Sequence, residues 1–463
     1  MTATTTPPLV KRLTGIGWVR SNLFPNVWSS ILTILLLPVL LYSGYRAGLF
    51  LLVNAEWEAV ERNLTLFMQG TFPRDQQWRL VAQLPLFALA LGAGLGTASS
   101  SAQDRAIEAG LPHERTSPIG IVRRFWSVIG FVLVLLYFAS TANPWFVVLG
   151  SVLAFLLGFQ IRGLPARFRL YGWSLMSLLL VAGFQVVSGT TGRAWLVTAI
   201  VVGIGAWTLT GSERIVPGWR TWALKTGAVI VTSVLVFLLY SVITDPGVGW
   251  DKWSGLHLTL WVSALAIILS FPFGLIMALA RRSGLPALRL LATTYIELIR
   301  GVPLIALLFM GQYVALFFLP AGSSLSSISR AIAVFTLFTA AYVAEIVRGG
   351  LQSLPPGQTE AGQALGLTPP SVIRLIVLPQ ALRAVIPAMV GQFISLFKDT
   401  SLLSILAIFE FFNVRSLVHG QPDFRVVAHA ETLVFVAVGY WAVAFAMSRE
   451  SQRLEGRLRV GAA

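Results

Sequence analysis

Twelve apolar runs dominate the chain: 28–53, 81–99, 125–142, 145–161, 170–189, 194–210, 222–243, 256–280, 294–318, 328–347, 384–411 and 430–447. A helix rises about 1.5 Å per residue, so roughly 20 apolar residues cross the hydrocarbon core of a bilayer. Backbone polar groups in lipid must be satisfied within their own segment, which makes each run a helix. The sequence therefore predicts an all-α polytopic membrane protein with about twelve transmembrane helices. Composition agrees: 11% of residues are charged, against about a quarter in soluble domains, and mean hydropathy is +0.77.

The net charge of +15 is a matter of topology rather than of nucleic-acid binding. With residues 1–27 placed in the cytoplasm and the spans alternating, 24 of the 34 Lys and Arg fall on cytoplasmic segments. Eight fall outside: Arg62, Arg74, Arg79, Arg193, Lys252, Arg330, Arg415 and Arg425. That asymmetry predicts both termini on the cytoplasmic side. Arg46, near the outer end of the first span, is expected to snorkel to the interface. The N-terminal stretch lacks the short apolar core and small-residue cleavage site of a secretory signal, so the first run is expected to be a retained span. Loop 54–80 is expected outside, with room for a short interfacial helix. Gly92, Gly94 and Gly96 suit close helix packing. The chain has no cysteine, and His113, His257, His419 and His429 show no metal-binding spacing. No metal site is expected.

Between the tenth and eleventh runs lies EAGQALGLTPPSVIRLIVLPQALR, Glu360 to Arg383. Pro355-Pro356-Gly357 stops the preceding helix. Gln358 to Leu365 then reads as a short helix with a small-residue surface. Gly366 suits a left-handed cap, Thr368 an N-cap and Pro369 a first helical position, and Pro379 is expected to end a second helix at Leu378. The residues alone leave two readings open: a docking element for another protein, or an amphipathic connector.

Glu360, Ala361, Gly362, Gly366, Ile376, Leu378 and Pro379 stand in the spacing of the EAA loop, with Gly362 where the pattern has Ala. YIELIRGVPL (Tyr295–Leu304), AYVAEIVRGGLQSLPPGQTEAGQALGL (Ala341–Leu367), LPQALRAVIPAM (Leu378–Met389) and LFKDTSLLSI (Leu396–Ile405) follow in order. Together they resemble the permease subunits of polar amino-acid ABC importers, and FMQGTFPRDQQWR resembles the longer permeases of general L-amino-acid importers. The resemblance implies a five-helix permease core over 251–450 with a cytoplasmic EAA loop at 355–383. Residues 28–250 become an extension of about seven transmembrane helices, and 451–463 a cytoplasmic tail. It implies a bacterial cytoplasmic (inner) membrane location and import of amino acids. The implied partners are a cytoplasmic ABC ATPase dimer on the EAA loop, a periplasmic or extracellular amino-acid-binding protein, and a second, homologous permease in a heterodimer. ATP and Mg would be bound by the ATPase, since this chain has no G-x-x-x-x-G-K-[ST] loop and binds no cofactor of its own.

Charges inside a span are costly and mark function by default. Lys398, Asp399, Thr400 and Ser401 interrupt the eleventh run about 20 Å from Ala384 at 1.5 Å per residue. With Gln312 and Gln392 they are the candidate substrate path, the alternative being that they only hold helices together. Glu345, Arg348, Glu297 and Arg300 sit near cytoplasmic span ends, as interfacial anchors or as gating charges. Two rival functions remain. A twelve-span transporter driven by an ion gradient would have no use for an EAA loop and would be expected to show a half-to-half repeat, which the chain lacks. An intramembrane enzyme would need a catalytic constellation, and none is visible.

Overall fold

The computed structural model describes residues 15–108, 144–164, 171–189, 247–318, 325–425 and 428–460, with Gly110, Ser117 and Gly120. Predicted spans 125–142, 194–210 and 222–243 lie outside the described residues. Every other predicted span holds helix, although residues 302–303 and 407–411 within those runs are not helical. These helices are α1 (Val27–Leu49), α4 (Gln77–Glu108), α5 (Pro144–Phe159), α6 (Tyr171–Ser188), α7 (Gly255–Arg281), α8 (Pro286–Gly301), α9 (Leu304–Phe309), α10 (Ser327–Gln352), α12 (Leu378–Asp399) and α13 (His429–Val460). Short helices α2 (Glu58–Arg62) and α3 (Leu64–Gln69) lie in the first long loop, and α11 (Gly357–Ala364) in the EAA segment. Among the described residues, seven helices are long and apolar enough to span a membrane, or eight if a bent pair counts as one.

The bent pair corrects the ninth span. Run 294–318 is not one rod: Pro286–Gly301 and Leu304–Phe318 meet at 107°. The break falls at Gly301-Val302-Pro303, where Pro303 cannot donate to the helix and holds the residue before it extended. Val302 is extended, at φ −105°, ψ 135°. α8 is amphipathic: Ala292 and Ile296 are buried, while Leu291 and Leu298 face outward.

Loop 54–80 holds two short helices, and each buries a face against the bundle. Ala59, Phe67 and Met68 are buried in one cluster with Leu256, Phe411, Val414 and Val436. Ser254 accepts from the Thr71 amide at 2.6 Å, Gln421 donates to Asn63 at 2.7 Å, and Glu431 accepts from the Glu56 amide at 3.2 Å. The loop is thus fastened to the start of α7, to the segment after α12 and to the start of α13. We call this the far end of the bundle, opposite the EAA segment. Phe184 of α6 packs edge-on against Trp250, Trp253 and Trp261, and Arg79 of α4 donates to the Val186 carbonyl at 2.8 Å. Extension and core share one interior.

Close helix approach uses glycine as expected. A Cβ on Gly92 would lie 2.2 Å from the Phe155 carbonyl oxygen, and one on Gly96 2.8 Å from that of Phe159, so α4 and α5 touch backbone to backbone. By contrast α1 has no buried residue.

Candidate functional site

The EAA segment folds as a helix, a left-handed turn and a second helix. Gly366 has φ +77°. Its amide donates to the Gln363 carbonyl at 2.8 Å, and the Leu367 amide reaches back to Gly362 at 3.2 Å. This is the paired capping pattern that a glycine just past a helix end allows. Gly362 is buried, and a Cβ there would lie 2.9 Å from Ile376 Cδ1 and 3.0 Å from a Val372 methyl. The Gly at the Ala position of the motif therefore fits a tighter crossing of the two short helices. Val372 and Val377 enter the same apolar cluster as Val347 and Leu351 of α10. Glu360 and Ala361 face outward beside Leu365, 79% exposed, and Leu375, 62% exposed. The outward face thus mixes small, apolar and charged side chains.

Pro379 does not end the second helix. Pro369–Val372 runs into a widened turn, Ile373–Val377, and on into α12. The Leu378 amide bonds to Ile373, five residues back. The widened turn shifts the ladder just where Pro379 cannot donate, so the helix passes through the proline. Ile376 and Leu378 consequently belong to a rod that continues from the loop to Lys398.

The charges near the EAA end converge. Arg281 of α7 bonds to Glu297 of α8 at 2.7 Å and to Glu345 of α10 at 3.2 Å. Arg300 lies 3.7 Å from Glu345. Arg348 bonds to Glu345 through Nε at 2.9 Å and to Gln352 at 2.6 Å. The four residues singled out in the sequence come together, with Arg281 as a fifth that the sequence reading passed over. One carboxylate, Glu345, is shared by guanidinium groups from three helices.

The polar residues of the eleventh span divide. α12 begins at Leu378, six residues before the predicted run, and breaks after Asp399 into a tighter helix, Thr400–Leu406. The break therefore lies toward the far end, where Leu396, Leu403 and Leu406 pack with Trp253 and Leu258. Lys398 is exposed, while Asp399, Ser401 and Gln392 are half-buried. Among the described residues neither Lys398 nor Asp399 is in an ion pair. Thr400 is fully buried and donates to the Phe397 carbonyl at 2.6 Å. Gln312 is buried: it accepts from Arg330 at 2.7 Å and donates to the Ser327 carbonyl at 3.2 Å. Both ends of its amide are occupied within its own neighbourhood.

Glu410 escaped the sequence reading because it lies at the end of an apolar run. It is fully buried. Its carboxylate accepts from the amides of Phe412 and Asn413 at 2.8 Å, from Tyr440 at 2.7 Å and from Thr259 at 3.4 Å. His419 and His429 were also missed as a pair; their rings lie 3.8 Å apart, with Thr432 and the Arg425 carbonyl as hydrogen-bond partners.

Residues 270–460 match the family model described as "Binding-protein-dependent transport system inner membrane component". Over 206 residues the chain is 38% identical to the probable glutamine ABC transporter permease protein GlnP of Bacillus subtilis (strain 168), covering 44% of this chain and 92% of that protein. The chain belongs to this permease family. The permease is also 42% identical over 235 residues to the inner membrane amino-acid ABC transporter permease protein YhdY of Escherichia coli (strain K12), a match spanning 50% of the permease and 64% of that relative. It is 29% identical over 480 residues to the glutamate/glutamine/aspartate/asparagine transport system permease protein BztC of Rhodobacter capsulatus, covering 98% of the permease and 96% of that protein. The permease is therefore a multi-pass membrane subunit of an ATP-driven importer and not an enzyme, and the ion-driven twelve-span reading falls. Systems of this family work with an ATPase and a binding protein.

Proposed function

We propose that the permease carries amino acids inward across a bacterial cytoplasmic membrane, paired with a second, homologous permease as a heterodimer. The observation that carries the coupling half of this reading is the EAA segment. It is a rigid helix-turn-helix seated on α10 and continuous with α12, and it presents Glu360, Ala361, Leu365 and Leu375 outward. A cytoplasmic ATPase dimer, holding ATP and Mg, docks on that face. Its movement passes along one unbroken rod toward Lys398 and Asp399, while the Glu345 cluster joins α7, α8 and α10 at the point where the loop pushes. Glu297, Arg300, Glu345 and Arg348 are then gating charges, with Arg281 as their fifth member. Likeness to BztC along almost the whole chain supports acidic amino acids and their amides as the substrate class.

Co-purification tests this directly. The permease should bring down a nucleotide-hydrolysing chain, and reconstituted vesicles should accumulate radiolabelled glutamate or glutamine only with ATP; uptake that persists without ATP would sink the reading. In the same vesicles Gly366→Val should hydrolyse ATP but lose most of its uptake. A Cβ on Gly366 meets nothing within 4 Å, so the cost is the left-handed backbone alone, about 1–2 kcal/mol. That is enough to reshape the turn without unfolding the bundle. Normal uptake by this variant would remove the turn from the coupling path.

Orientation has its own test, since the chain has no native cysteine. Asp251 and Gln363 are both exposed. In intact cells an impermeant thiol reagent should label Asp251→Cys and spare Gln363→Cys until the membrane is opened. The opposite pattern would reverse the topology and with it the docking face.

A further inference from the structure

We propose that Glu410 is a positioning residue for the transport path, holding the helix break beside Lys398 and Asp399 in register. This rests on the reading of those two residues as part of the path.

Glu410 is a carboxyl group buried without a basic partner: no ion pair involving it occurs among the described residues. Burial of that kind is costly unless every lone pair is satisfied. Four donors reach it from three places, the Thr259 hydroxyl sharing its one proton with the Gly255 carbonyl at 3.3 Å. Phe412 and Asn413 lie on its own segment, Thr259 on α7 and Tyr440 on α13. The carboxylate thus stands where an acceptor-only group is needed; an amide would turn an N–H toward another N–H. Neighbouring contacts tighten the same knot. Thr259 also accepts from the Phe411 amide at 3.0 Å, and the Gly255 amide bonds to the Phe409 carbonyl at 2.8 Å.

Tyr440 carries the link to the break. Its hydroxyl donates to Glu410 at 2.7 Å and lies 3.3 Å from Thr400 Oγ1, and its ring packs on Phe397 with centroids 5.2 Å apart. Phe397 and Thr400 flank Lys398-Asp399. Between Thr400 and Glu410 the chain forms one tight helix and then turns at Ala407, whose φ is +56°. The break is therefore held at both ends, by the Tyr440 ring on Phe397 and by Glu410 beyond the turn. Loosening Glu410 changes where Lys398 and Asp399 stand relative to α7 and α13 without touching either side chain.

The test uses the whole importer in vesicles, with its ATPase, partner permease and binding protein and with radiolabelled glutamate. Yield of assembled complex and uptake per complex are measured separately. Glu410→Gln should assemble yet raise the half-saturating substrate concentration about ten-fold. Tyr440→Phe should move it in the same direction by less. The double variant should be no worse than Glu410→Gln alone, because both remove one connection. A fall in yield with unchanged half-saturation per complex would show a merely structural carboxylate and overturn the proposal, as would wild-type behaviour in all three variants. If Glu410→Gln fails to assemble, Tyr440→Phe decides. Uptake by the wild type in the same vesicles separates failure of this inference from failure of the transport reading beneath it.

Discussion

Gly255→Val is expected to abolish assembly of the permease, seen as loss of full-length protein from the membrane. Gly255 has φ +66°, and a Cβ there would sit 2.7 Å from the Phe67 carbonyl oxygen and 2.9 Å from both the Gly70 nitrogen and the Met68 carbonyl carbon. All three are backbone atoms, so no side-chain rotation relieves the clash. The left-handed backbone costs about 1–2 kcal/mol and overpacking about 1–3 kcal/mol more. Their combination, roughly 2–5 kcal/mol, is a large fraction of a typical folding free energy. Gly70→Val should behave alike, because its Cβ would lie 2.0 Å from Ser254 Oγ. Gly284→Val is the control: nothing lies within 4 Å of that Cβ, and yield should be unchanged. Normal yield of Gly255→Val would mean that loop 54–80 does not pack on α7 as described.

Asp399→Asn should leave assembly intact and lower uptake per complex about ten-fold, equivalent to ~1.4 kcal/mol. The expectation follows from what these side chains lack. A charge on a membrane span is costly, so an adjacent Lys and Asp at the far end of α12 must find a partner, a cavity or water. Neither is in an ion pair among the described residues, and Lys398 is exposed. Removing one therefore orphans no buried partner, and yield should hold. Were they a structural pair, each single change would reduce assembly, and Lys398→Met with Asp399→Leu would restore it. We expect the double variant to assemble and to stay defective in uptake. Rescue by that double change would withdraw both residues from the path. Leu403→Ala supplies the contrast. Leu403 is fully buried, so truncation should cost about 2–5 kcal/mol, lowering yield and not uptake per assembled complex.

Much of this was legible in the sequence, because span length and the motif spacing are local signals. Gly366 could be read as a left-handed cap from its place after a small-residue helix. What the sequence hid was either a competition between local rules or a contact at long range. A run-length reading passes over Gly301-Val302-Pro303, although the residues that make the elbow are in plain view. Pro379 reads as a helix stop, yet a widened turn absorbs its missing donor at less cost than breaking a helix that packs through Val377 and Ala381. Arg281 belongs to the Glu345 cluster across 64 residues. Glu410 finds Thr259 across 151 residues and Tyr440 across 30. No periodicity announces partners at such separations. The departure at Gly362 becomes intelligible only beside Val372 and Ile376.

The fastening of loop 54–80 bears on how such a chain can be divided and made. A border drawn near residue 250 by likeness to shorter permeases cuts through the apolar cluster that joins Phe67 to Leu256 and Phe411. Core and extension are thus separable as text and not as matter: a gene fragment starting at the border would leave Leu256, Phe411 and Val436 without their cover. Order of synthesis follows too. Phe67 leaves the ribosome well before Gly255 and longer still before Phe411, so loop 54–80 is made long before the partners that cover it. The far end closes only when the final helix arrives, which makes the last-made segment of the chain the keystone for the first.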